Sequence, residues 1–76
     1  MFIEAAYARR EQLDDVTLER LLQALRDEAE RYRATIENYP PDRMEKYGKP
    51  YLDSREVRVR DVERILAARR SSLQNT

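Results

Sequence analysis

The chain has 76 residues with 15 basic and 15 acidic side chains, and it contains one glycine, no cysteine and no histidine. These counts exclude a disulfide framework, a Cys/His zinc site, a histidine-based catalytic triad and a glycine-rich phosphate loop. A chain this short forms at most one domain, 1–76, with a thin core, and oligomerisation is a common remedy for such a core. We therefore expect a single charge-rich, all-α domain.

The first segment predicts an N-terminal helix over residues 1–13, because it is rich in alanine, glutamate, arginine and glutamine. Asp14 and Asp15 interrupt it, and either can cap the helix that follows. Glu4 and the lack of a long apolar run argue against a signal peptide. No stretch approaches the length of a membrane span, so we expect a cytoplasmic protein without a membrane partner.

The central segment, residues 16–39, has the clearest pattern in the chain. Its apolar residues recur at alternating spacings of four and three, which is a heptad seam on a helix. Pro40 and Pro41 end this helix, since a residue before proline avoids the helical region. Leu21 widens the seam, so the first half of the helix should contact two neighbouring elements and the second half one.

The seam has two interpretations, self-association and an internal helical bundle. The thin core favours the first, in which a parallel coiled-coil homodimer brings Glu28 near Arg33 of the other chain. The internal bundle uses the same pattern and remains the alternative. The residues predicted to mediate self-association are Leu18, Leu21, Leu22, Leu25, Ala29, Tyr32 and Ile36.

Residues 40–52 form a connector rich in tyrosine and proline. Asp42 and Glu45 have the spacing of a capping box, which predicts one turn of helix over 43–47. Gly48 suits the left-handed position after a helix end. Pro50 then predicts an extended exit from the connector.

The tyrosines of the connector also have two interpretations. Tyrosine combines a large apolar ring with a polar tip, and it is enriched at protein interfaces. The rings either pack on the prolines as a small core or form a docking patch for a partner. The residues predicted for such a patch are Tyr39, Met44, Tyr47 and Tyr51.

The last element is predicted as a helix over residues 54–70, with Asp53 and Glu56 as a second capping box. Residues 55–60 also alternate in the manner of a short strand, and this alternative would require a partner strand. Residues 71–76 are expected to fray.

The arginines of this last helix raise the possibility of nucleic-acid binding, because arginine is well suited to bidentate phosphate contact. Asp61 and Glu63 lie between them and would repel phosphate. The simpler interpretation is that the arginines match the charges of the acidic central helix. The residues that would contact nucleic acid are Arg58, Arg64, Arg69 and Arg70.

The carboxylates are interpreted as solvated helix-face residues, so no metal and no cofactor is predicted. The leading function is a non-enzymatic protein–protein interaction or assembly module, such as an adaptor, an inhibitor or a small subunit of a larger complex. Its expected partner is a second copy of the chain, another protein, or both. The alternative is a small nucleic-acid-binding transcriptional regulator.

Overall fold

The computed structural model describes residues 2–74, with the side chains of residues 2–72. Throughout this range the regular structure is helical and there is no strand, which confirms the predicted all-α class. The molecule is elongated, with extents of 52 × 26 × 16 Å. Its main elements are α1 (Phe2–Ala8), a 3₁₀ turn (Arg10–Gln12), α2 (Asp15–Ile36) and α3 (Lys49–Gln74).

Helix α2 begins where the sequence predicts a cap. The backbone N–H of Thr17 donates to Oδ1 of Asp14 at 3.2 Å, which satisfies one of the free donors of the first turn. Hydrogen bonds from Thr17 also hold the pKa of Asp14 below its usual range. The helix ends at Ile36, three residues before the predicted end, and a closing turn places the N–H of Tyr39 3.0 Å from the carbonyl of Ile36.

Helix α1 is shorter than the predicted 1–13 because the chain has to reverse before α2. It ends at Ala8, and the 3₁₀ turn then carries the chain to the start of α2. This reversal lets Ala6 join the buried core, with Ile3 and Tyr7 packed against it.

The connector differs most from its prediction, because all of it after Pro40 is helical. A turn at Pro41–Arg43 leads into a π-helical turn at Met44–Gly48, and α3 follows without a break. Pro40 occupies the N-cap position and no side-chain hydrogen bond caps the turn. The prediction of a capping box at Asp42 was therefore wrong. Gly48 is buried inside the π turn and does not adopt the left-handed conformation predicted for it.

Pro50 does not force the chain into an extended exit. In a regular α-helix the proline ring would clash with the carbonyl of Lys46, four residues earlier. The preceding turn is wider, and the N–H of Lys49 donates to the carbonyl of Met44, five residues back. We attribute the continuity of the helix to this wide turn, which gives the ring room.

Helix α3 is longer at both ends than the predicted 54–70. It includes residues 55–60, so the alternative strand is not formed. Asp53 and Glu56 lie inside the helix and do not form a capping box. Residues 71–74 continue the helix instead of fraying, while residues 75 and 76 of the predicted tail lie outside the described residues.

The core lies at one end of the hairpin that α2 and α3 form, where α1 adds a third helix. We call this part the core half. The first half of α2 contacts both α1 and α3, whereas Tyr32 and Ile36 in its second half contact the π turn that leads into α3. The buried cluster consists of Ala6, Leu18, Leu21, Leu22, Leu25, Val62 and Leu66.

The heptad seam is therefore used within one chain. Leu18, Leu21 and Leu25 are at most 1% exposed, and Ala29 and Ile36 are also buried. Glu28 and Arg33, predicted to pair between chains, instead face residues of α3 in the same chain. The internal bundle is the arrangement that the structure contains, and a homodimer through this seam would require the hairpin to open.

Candidate functional site

The far end of the hairpin, opposite the core half, has a thin interior and an aromatic surface. We call it the tyrosine end and define it as residues 32–52. Its buried residues are Ile36 and Gly48, whereas Tyr47 and Tyr51 are 56% and 54% exposed. Two large rings are thus exposed to solvent in the part of the molecule that has the smaller buried core.

A groove of about 550 Å³ runs along this surface. It is bounded by the second half of α2 on one side and by the π turn and the start of α3 on the other. We call it the tyrosine groove. Its lining residues are Tyr32, Tyr39, Asp42, Arg43, Lys46, Tyr47 and Tyr51.

The tyrosines of the groove hold one another in place. The rings of Tyr32 and Tyr51 lie 6.1 Å apart between centroids and are tilted by 56°, a favourable geometry for an aromatic pair. The hydroxyl of Tyr32 donates to the backbone carbonyl of Tyr47 at 3.3 Å, so one carbonyl of the π turn accepts from α2. The guanidinium of Arg55 lies 5.6 Å from the centroid of Tyr32. These contacts fix the floor of the groove while Tyr47 and Tyr51 remain exposed.

Cations complete the rim of the groove. The guanidinium of Arg43 lies 4.8 Å from the ring centroid of Tyr39, within the range of a cation–π contact. Lys46 lines the same groove, and Asp42 is the one carboxylate among its lining residues. The surface is therefore aromatic and weakly basic.

The π turn packs closely against the end of α2 at Gly48, next to the tyrosine groove. A Cβ atom at this position would lie 2.6 Å from Sδ of Met44, 3.4 Å from Cδ1 of Ile36 and 3.5 Å from Cδ2 of Tyr39. A residue with a side chain would force Met44 to move. The absence of a side chain thus lets the turn approach the end of α2.

The predicted docking residues are only partly brought together. Tyr39, Tyr47 and Tyr51 line one groove, whereas Met44 lies on a separate groove between α2 and α3. Tyr32 was predicted in the self-association seam, yet its ring belongs to the tyrosine groove. The signal that could have placed it there is its position in the last turns of α2, beyond the broad leucine face.

Arg43 and Lys46 are groove residues that sequence reasoning missed. The signal for Lys46 was the concentration of both lysines of the chain in the connector, at positions 46 and 49.

The four arginines of the nucleic-acid alternative are all engaged with carboxylates. Arg58 pairs with Glu4 at 3.1 Å, Arg64 pairs with Asp61, and Arg70 lies 3.8 Å from Glu19. Phosphate contact by these side chains would compete with their existing partners. The predicted charge match to the central helix holds for Arg69 and Arg70, whereas Arg58 pairs with α1 and Arg64 pairs within α3.

Arg69 is the most firmly held of these four arginines. Its guanidinium pairs with Asp15 at 2.9 Å and donates to the carbonyls of Leu13 and Glu11 at 2.7 and 3.1 Å. It thereby connects the segment between α1 and α2 to the end of α3.

A polar cluster around Asp61 joins α1 to α3. The hydroxyl of Tyr7 donates to Oδ2 of Asp61 at 2.9 Å, and Nε of Arg10 lies 2.6 Å from the same oxygen. Burial raises the pKa of Tyr7, and the hydrogen bond to Asp61 adds to this effect. Burial also acts to raise the pKa of Asp61, but Tyr7, Arg64 and Arg10 together outweigh it and hold the pKa below its usual range.

In the part of the chain that the structure describes, no group of three or more aspartate and glutamate side chains is placed to hold a metal ion. None of the helices in this part of the chain is both long and apolar enough to cross a membrane.

Comparison with protein-family models, with curated proteins and with solved structures finds no match to this chain.

Proposed function

We propose that this protein is a non-enzymatic protein-binding module whose docking surface is the tyrosine groove. The observation that carries the proposal is the exposure of Tyr47 and Tyr51, each more than half accessible, beside a groove whose floor is fixed by Tyr32. An adaptor, an inhibitor and a small subunit of a larger complex all fit such a module. The cytoplasmic location expected from the sequence stays part of the proposal.

The energetics of interfaces support this choice of surface. Tyrosine is among the residues that carry most of the binding energy at protein interfaces, and truncating one such residue costs about 2 kcal/mol or more. Its ring has only two side-chain torsions, so little conformational entropy is lost on binding. The fixed floor of the groove reduces that loss further, since Tyr32 is already held by the backbone of the π turn.

A second copy of the chain is one candidate partner within this proposal. It would bind at the tyrosine end, because the leucines of the heptad seam are buried within the chain. Self-association through α2 remains compatible with the proposal only as an exchange of helices between two opened hairpins.

The test is to truncate both exposed rings and to follow binding and stability separately. The double variant Tyr47→Ala/Tyr51→Ala should lose capture of partners from a lysate of the native host, identified by mass spectrometry, while keeping its helicity and most of its melting temperature. Phe2→Ala is the matched control, because Phe2 is an exposed aromatic residue of similar accessibility, 53%, on α1. This variant should capture the same proteins as the original chain.

Two results would contradict the proposal. In the first, the tyrosine variant keeps its partners. In the second, it loses its melting temperature while its folded fraction binds normally, which would assign the rings to a small core.

A further inference from the structure

The ion pairs of the protein are distributed unevenly along the hairpin. Nine of the thirteen arginines form ion pairs with carboxylates of the same chain. Three cations of the tyrosine end, Arg43, Lys46 and Lys49, have no carboxylate within ion-pair distance among residues 2–74. Three carboxylates of the tyrosine end, Glu37, Asp42 and Glu45, also lie outside these ion pairs, but only Asp42 lines the tyrosine groove, so the lining has two cations and one carboxylate.

Two of these cations lie at the tyrosine groove itself. Arg43 and Lys46 line it together with Tyr39 and Tyr47, and Asp42 is the single acidic side chain on its rim. Arg43 lies over the ring of Tyr39, so its guanidinium is held near the groove by the cation–π contact. Aromatic rings and uncompensated cations thus share one concave surface.

Building on the function proposed above, we infer that the tyrosine groove takes a short acidic segment of a partner protein. Carboxylates of the segment meet Arg43 and Lys46, and apolar side chains between the carboxylates pack on Tyr47 and Tyr51. Charge complementarity selects this class of partner, because a basic segment would meet like charges in the groove. A neutral apolar segment would leave both cations partly desolvated without a partner.

A single-stranded nucleic acid is the competing occupant, since aromatic rings and cations also bind bases and phosphates. Two observations disfavour it. Asp42 lies on the rim, where it would repel a phosphate backbone, and the chain as a whole has no net charge to attract one. A peptide places its carboxylates individually and can avoid Asp42, whereas a nucleic acid has a phosphate at every step.

The experiment selects binding peptides without assuming their sequence. The full chain, held through a biotin added at one terminus, is panned against a random peptide library displayed on phage. Peptides that also bind the Tyr47→Ala/Tyr51→Ala variant are removed. The enriched peptides should carry a net negative charge relative to the starting library.

The affinity of the most enriched peptide is then measured on charge variants by fluorescence anisotropy. Arg43→Gln/Lys46→Gln should weaken binding about tenfold, the effect of losing two exposed ion pairs. Arg20→Gln is the matched control, because Arg20 is an exposed arginine of α2 without an ion pair in the described part of the chain, and it should leave the affinity unchanged. Raising the salt concentration should weaken binding to the original chain more than to the double variant.

The outcomes separate this inference from the proposed function. Enriched peptides that depend on the tyrosines but carry no acidic bias, or that bind the charge variant equally well, overturn the acidic partner and leave the docking surface standing. A library that yields no tyrosine-dependent peptide overturns both. Tighter, tyrosine-dependent binding of a 15-nucleotide strand of deoxythymidine overturns the inference in favour of nucleic acid.

Discussion

The two ends of the hairpin differ in how far their large side chains are buried. In the core half, three helices bury Leu18, Leu21, Leu25 and Val62 almost completely. At the tyrosine end, two layers leave Tyr47 and Tyr51 more than half exposed. From this difference we expect stability to be concentrated in the core half, and we expect the exposed rings of Tyr47 and Tyr51 to contribute little to folding.

The ionic contacts follow the same division. Along the body of the hairpin, Arg26 pairs with Glu63 at 2.7 Å and Arg33 pairs with Glu56 at 2.8 Å, joining α2 to α3. Most such exposed pairs contribute less than about 1 kcal/mol each to the free energy of unfolding. At the tyrosine end, Arg43, Lys46 and Lys49 form no ion pair with the described residues, whereas Arg33 at its edge does.

The largest expected effect is the loss of stability when a buried leucine of the core half is truncated. Leu21→Ala should lower the free energy of unfolding by about 2–5 kcal/mol, because it leaves a cavity in a fully buried position. That loss is comparable with the whole stability of a small domain. Urea unfolding followed by circular dichroism measures it.

Leu52→Ala is the matched change at the tyrosine end. Leu52 is only half-buried, so its loss should cost clearly less, about 1 kcal/mol. Equal losses for the two variants would remove the distinction between the ends.

The second prediction concerns two neighbouring arginines at the end of α3. Arg69→Ala should cost about 1–2 kcal/mol, because Arg69 bonds two carbonyls and Asp15. Arg70→Ala should cost less than about 0.5 kcal/mol, because its 3.8 Å contact with Glu19 is exposed on both sides. Thermal unfolding of both variants measures the difference. If Arg70→Ala is as destabilising as Arg69→Ala, the hydrogen bonds from Arg69 to the α1–α2 segment do not add to the stability of the fold.

The third prediction tests the close packing beneath the tyrosine groove. Gly48→Ala should destabilise the protein by about 1 kcal/mol, because overpacking against Met44 outweighs the gain in helix propensity. In a Met44→Ala background the obstacle is gone, and the same substitution should become neutral or stabilising. The coupling between the two sites is read from a double-mutant cycle of urea midpoints. Additive effects would mean that Met44 already has room to move.

The smallest expected effect is a dependence of stability on pH. The pKa of Asp61 is lower in the folded chain than in the unfolded chain, so near about pH 4 the folded state binds fewer protons. The stabilisation is fully present above the unfolded pKa and is lost as the pH falls through the folded one. The urea midpoint should therefore decrease below about pH 4.

Asp61→Asn should show a shallower pH dependence than the original chain. Some dependence should remain, because the pKa of Asp14 is also lowered. An unchanged slope in the Asp61→Asn variant would show that the cluster with Tyr7 and Arg10 has no linkage to folding.

The parts of the fold that depend on local pattern could be predicted from the sequence. The spacing of Leu18, Leu22 and Leu25 gives α2, Asp14 gives its cap, and Leu21 shows which half of α2 has two neighbours. A heptad seam does not specify which helix covers it, because leucines of the same chain and of a second chain fit it equally well. The internal use of the seam therefore required the structure.

The connector and the groove could be predicted only in part. The sequence indicates a cluster of tyrosines, but their grouping depends on the π turn, which places Tyr47 beside Tyr32 and separates Met44 from both. Local rules for Gly48 and Pro50 predict the end of a helix, and the wide turn overrides both. The pairing of arginines across the hairpin depends on how the two helices are aligned, and the spacing of residues within one helix does not determine that alignment.

The confinement of lysine to positions 46 and 49 has a practical consequence for handling the protein. Reagents that acylate side-chain amines, such as succinimide esters, can modify the described part of the chain only at the tyrosine end. Coupling to a solid support through these lysines would turn the tyrosine end towards the support and hide the groove from molecules in solution. The same selectivity makes amine cross-linking a local probe, since a cross-link to Lys46 reports a molecule bound at the groove.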